Sequence, residues 1–154
     1  MIQRIQTVFL FLAVIALVLF NIFPYWQAAA QPEGEAVRLL SYALQSGEIV
    51  QPQFEFGLYT IVGGLAGVAL ILLIIEILAY KNRITQMRIA IGISFLMSIN
   101  LVLMTFFVVD LQKEYEGTFG IGIFVFALAM LLNILARRFI QKDEKLVRSV
   151  DRLR

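Results

Sequence analysis

Four long uncharged runs dominate the order of apolar and polar positions. The first covers residues 5–23, starting just after Arg4. The second covers 57–80 and is interrupted by Glu76 alone. The third covers 89–109, between Arg88 and Asp110, and the fourth 118–136, between Glu116 and Arg137. A helix needs about 20 residues to cross a hydrocarbon layer of roughly 30 Å, so each run fits one crossing. None alternates with period two, which favours helices over barrel strands. The pattern predicts an all-α membrane protein: one four-transmembrane-helix bundle over residues 1–154, with connections at 24–55, 81–88 and 110–117 and a tail at 137–154.

The connections are less legible. Gln31-Pro32-Glu33-Gly34 and Ser46-Gly47-Glu48 are breaks. Between them, residues 36–45 are apolar enough for a short interfacial helix or for a strand, and ten residues of periodicity do not decide. The segment reads as a small ordered cap. Ala28-Ala29-Ala30 resembles a leader cleavage site. The first apolar run exceeds the usual 7–15 residues of a leader, however, and Tyr25-Trp26 after Pro24 reads as an aromatic belt, so a retained span is expected. The tail continues the fourth span as an amphipathic helix with Phe139, Leu146, Val150 and Leu153 on one face. Glu144 with Arg148, Arg148 with Asp151, and Asp151 with Arg154 are spaced for ion pairs.

Composition agrees: 60% of residues are apolar and 16% charged, against about 45–50% and 25% in soluble domains. Mean hydropathy is +0.85. Without cysteine or histidine there are no disulfides, thiol nucleophiles, imidazole bases or common zinc and haem ligands. Asp110, Glu114 and Glu116 do not match a calcium loop, and Gly63-Gly64 lies inside a span, away from any phosphate-loop context. No catalytic, cofactor or metal residue is expected, and the chain reads as a non-enzyme.

The net charge of +2 hides a strong asymmetry. With both termini on one side, that side holds 11 of the 13 basic residues and four acids, for +7. The other side holds Arg38 and Lys113 against seven acids, for −5. The positive-inside rule then predicts cytoplasmic termini, with 24–55 and 110–117 as outer loops and 81–88 as an inner turn. Arg4, Lys81, Arg83, Arg88, Arg137, Arg138, Arg148, Arg152 and Arg154 form a basic face for a partner or for anionic lipid. Three acids in the tail dilute its charge, so nucleic acid is not an expected partner.

Polar residues inside the spans mark a second candidate. Glu76, Asn133, Ser94 and Gln6 fall at similar depth near the basic side, as a polar layer. Intramembrane carboxylates often mark ion paths. The favoured reading is structural: Glu76 bonds Asn133 or pairs with Arg4, Arg83, Arg88 or Arg137. Asn100 reads as interhelical glue. Gly63 and Gly67, Ala90, Ser94 and Ser98, and Gly120 and Gly122 read as close-packing positions.

Several segments carry a resemblance. They are Met1-Ile2-Gln3-Arg4-Ile5-Gln6-Thr7, Tyr80-Lys81-Asn82-Arg83 with Arg88, Phe119-Gly120-Ile121-Gly122, and the closing run from Asp143 through Arg148 to Arg154. The chain resembles small four-span inner-membrane proteins of Bacteroidota catalogued as a domain of unknown function. The resemblance implies a bacterial inner-membrane location and brings no activity with it. Beyond the lipid bilayer, the expected partner is a membrane-protein complex or a second copy. The expectation is an accessory or scaffold subunit; the alternatives are a proton or cation transporter using Glu76, and a lipid-interacting membrane organiser.

Overall fold

The computed structural model describes residues 3–28, 36–47, 53–80 and 82–151. The apolar runs form four helices: α1 (Gln3–Ile22), α2 (Thr60–Leu78), α3 (Arg83–Leu111) and α4 (Ile121–Asp151). Each is long and apolar enough to cross a membrane. Their outward positions are apolar, as at Phe11, Ile71, Phe95, Val102 and Leu131. Several inward positions are small or flexible (Ala13, Ala66, Ala69, Met97, Ala129), which lets helix backbones approach closely there.

The all-α expectation fails at one end of the bundle. A five-stranded antiparallel sheet lies there, built from β1 (Trp26–Ala28), β2 (Val37–Leu39), β3 (Leu44–Ser46), β4 (Gln53–Glu55) and β5 (Gly117–Phe119), in the order β4-β3-β2-β1-β5. Trp26 and Ala28 are buried around exposed Gln27, and Val37 and Leu39 are buried around Arg38, which is the two-residue alternation of a strand. The breaks at Pro32, Gly34 and Gly47 leave segments too short for an independent helix. The undecided stretch 36–45 therefore holds strands rather than an interfacial helix. Residues 118 and 119, expected in the fourth span, belong to β5, and α4 starts two residues later.

Tyr25 and Trp26 are fully buried, not an exposed aromatic belt. Trp26 pairs with Leu39 on one side and Phe119 on the other. The sheet thus joins the end of α1 to the start of α4. Gly120 N–H donates to Tyr25 O and Gly122 N–H to Pro24 O, both at 2.9 Å. A Cβ at Gly122 would lie 2.6 Å from Phe23 O, and one at Gly120 would strike Pro24 O. Glycine here permits backbone against backbone.

Below the sheet, α1 and α4 pair along their length. Phe20 and Phe126 meet at 4.9 Å between ring centres, and Phe9 stacks on Phe139 at 5.3 Å. Helices α2 and α3 form a hairpin. Asn82 caps α3 by accepting Thr85 N–H at 3.2 Å, so the connection is tighter than residues 81–88: helix resumes at Arg83. The tail is not a separate element, since α4 runs on without a break. Of the glycine pair in α2, only Gly63 is closely packed: a Cβ there would lie 2.9 Å from Ser41 O, whereas Gly67 and its neighbour Gly64 face open space.

Candidate functional site

The polar residues singled out in the sequence divide into two arrangements. Asn133 is fully buried on α4 and donates through Nδ2 to Ala90 O at 3.2 Å and to Ser94 Oγ at 3.0 Å. Ser94 in turn donates to Ala90 O at 2.9 Å. The small residues at 90 and 94 open the face of α3 that admits the asparagine. This is a structural clasp between α3 and α4 with its donors used.

Glu76 stands apart from that clasp. It is fully buried on α2, and neither carboxylate oxygen has a hydrogen-bond partner among the described residues. Neither the expected bond to Asn133 nor pairing with a described arginine is present: Arg88 is exposed, Arg137 makes no ion pair with Glu76, and the other two candidates are turned elsewhere. Asn133 is turned to α3, and Arg83 pairs with Asp143 of α4 at 3.3 Å while donating to its backbone carbonyl at 3.4 Å. What reaches the Glu76 residue is Gln86, whose Nε2 donates to the Glu76 backbone oxygen at 2.9 Å. Gln86 was not singled out in the sequence. It lies one helical turn before Ala90 and two before Ser94, so the small-residue stripe, extended by one turn, points to it. Gln6 on α1 is also buried, and its Oε1 is unpartnered.

A donor without an acceptor lies in the same part of the bundle. Arg137 is half-buried, and its Nε has no partner. It follows Asn133 by one turn on α4, as Gln86 precedes Ala90 on the antiparallel α3, so the clasp brings these two turns to the same level. Farther toward the sheet, Asn100 donates to Val62 O at 3.1 Å, the glue role expected of it.

The basic residues at this end behave differently from one another. Arg88, Arg138, Lys142 and Lys145 are exposed, whereas Arg83 is held by Asp143. Arg4, Lys81, Arg148, Arg152 and Arg154, and the ion pairs expected along the tail, lie outside the described side chains. Phe139 belongs to the bundle through its stack on Phe9, and Leu146 is 47% exposed. Since α3 begins at Arg83, beside Asp143, the stretch of α4 beyond Asp143 runs past the start of α3 by about 12 Å at 1.5 Å per residue.

Among the described residues no group of three or more acidic side chains is placed to hold a metal ion. A family model described as Domain of unknown function (DUF4293) matches residues 2–153. No curated protein matches the chain.

Proposed function

We propose that this chain, which belongs to the DUF4293 family, is a non-enzymatic accessory or scaffold subunit of a larger assembly in a bacterial inner membrane. The observation that carries the reading is the unbroken α4. It carries exposed Arg138 and Lys142 on the bundle's last turns and passes beyond Asp143 into a projecting stretch with exposed Lys145 and Leu146. A plain membrane anchor needs basic residues but not a rigid extension of the bundle. A helix fixed at its root by Arg83–Asp143 presents its charges in a set geometry, which lowers the ordering cost of binding. The concentration of basic residues at this end supports cytoplasmic termini.

The test is purification of the full chain in mild detergent with its complexes preserved, beside a variant carrying Arg138→Glu, Lys142→Glu and Lys145→Glu. The wild type is expected to co-elute with a defined membrane-protein partner that the variant loses while keeping its melting temperature. Recovery of the wild type alone under several gentle conditions would overturn the reading.

A further inference from the structure

Among the described residues, buried acceptors without a donor gather at the end of the bundle that carries the tail. Glu76 Oε1 and Oε2, Gln86 Oε1 and Gln6 Oε1 are all buried, and none receives a hydrogen bond from a described residue. Glu76 is 0% exposed, Gln6 1% and Gln86 2%. Buried polar atoms are nearly always paired, and each one left unpaired destabilises the fold. One link joins two of them: Gln86 Nε2 donates to the Glu76 backbone oxygen, which places this side chain, with its unpartnered Oε1, beside α2.

The charged groups on the surrounding elements do not answer this need. On α3, Arg83 is held by Asp143 and Arg88 is exposed. On α4, Arg138 and Lys142 are exposed, and Arg137 keeps an unpartnered Nε. On α1 the basic residue is Arg4, outside the described side chains. No described cation lies within ion-pair distance of Glu76.

A proton resolves the imbalance. Added to one Glu76 oxygen, it turns an acceptor into a donor and removes the charge, and the unpartnered Oε1 of Gln86 belongs to a side chain already bonded to the backbone of this residue. We propose that Glu76 is an exchangeable proton-binding site, with the protonated carboxyl donating to Gln86 Oε1. The step balances simply: a hydronium ion gives one proton to the carboxylate, one O–H bond breaks and one forms, and water and a neutral carboxyl remain. Release reverses it. Toward the sheet, Leu73, Ile93, Met97 and Phe126 are fully buried apolar side chains. The proton therefore enters and leaves by the tail end, and the site binds without conducting. This inference does not depend on the scaffold reading.

Infrared spectroscopy of the full chain in lipid, over the pH range in which it stays folded, tests it. The wild type is expected to show a carboxylic-acid carbonyl band that Glu76→Gln removes. That band shifts when H2O is replaced by D2O, and it moves to higher frequency in Gln86→Leu, which deletes the acceptor. If Glu76→Gln does not fold, the D2O shift and the Gln86→Leu variant decide the matter. Identical wild-type and Glu76→Gln spectra would overturn the proposal. So would a band indifferent to D2O, or a carboxylate signal that responds to Arg137→Gln, which would make Arg137 the counter-ion.

Discussion

Asn133 donates to the hydroxyl of Ser94 at 3.0 Å, and both groups converge on the Ala90 carbonyl. The pair ties α4 to the α2–α3 hairpin at a depth where lipid offers no replacement partner. Asn133→Leu is expected to cost about 1–2 kcal/mol of unfolding free energy, and Ser94→Ala about 0.6 kcal/mol. Reversible unfolding in detergent measures both. Equal stability of wild type and Asn133→Leu would show that the clasp carries no net energy.

Glycines that look alike in sequence differ in what they touch. Gly120→Ala places a methyl group against the Pro24 carbonyl and is expected to lower stability by about 1–3 kcal/mol. Gly64→Ala meets nothing within 4 Å and removes a flexible helix position, so it is expected to be neutral or slightly stabilising. Thermal melts of the two variants side by side check the contrast.

The same contrast shows what the sequence could and could not convey. Length and hydropathy located all four helices, because an apolar run of about 20 residues has few other uses. The glycine pattern in α2 was common to many packings, and only the position of Ser41 shows that Gly63 alone is pressed. Strands of three residues fall below any periodicity signal, so β5 was absorbed into the fourth span. Glu76 stood out as a lone charge in an apolar run. Its partner did not, because a glutamine near a helix start resembles an ordinary surface residue. Tyr25 and Trp26 were read as interfacial because that is where such rings usually lie; the sheet buries them instead.

Arg83 and Asp143 hold the start of α3 to α4 with side chains 25% and 15% exposed. At that exposure the pair is expected to contribute about 1 kcal/mol or less, falling with added salt. A double-mutant cycle with Arg83→Gln and Asp143→Asn isolates the coupling. Exchanging the two residues is expected to restore most of what either single reversal loses. No recovery on exchange would mean that the Arg83 bond to the Asp143 backbone carbonyl dominates.

Burial pushes the ionisation of the Tyr25 hydroxyl well above the usual tyrosine range, with a smaller contribution from Tyr59. The folded state therefore keeps this proton more tightly than the unfolded chain does. The stability this provides is complete below about pH 10, the ordinary tyrosine value, and is lost as pH rises above it. Ultraviolet titration is expected to show Tyr25 ionising only with unfolding. Its hydroxyl has no partner, so Tyr25→Phe is expected to leave stability unchanged or raise it by about 1 kcal/mol, and to remove this part of the alkaline loss.

The pairing of β1 with β5 also constrains biosynthesis. The first strand follows the first helix, while its outer neighbour arrives only after the third. Until residues 117–119 emerge, one edge of the sheet stays open and Trp26 lacks its Phe119 neighbour. For helices that span a membrane, the five strands share one side only when the second and third helices both cross or neither does. A chain that skips one crossing strands β5 on the far side and cannot close the sheet. Closure is thus a built-in record that the second and third helices were placed as a pair.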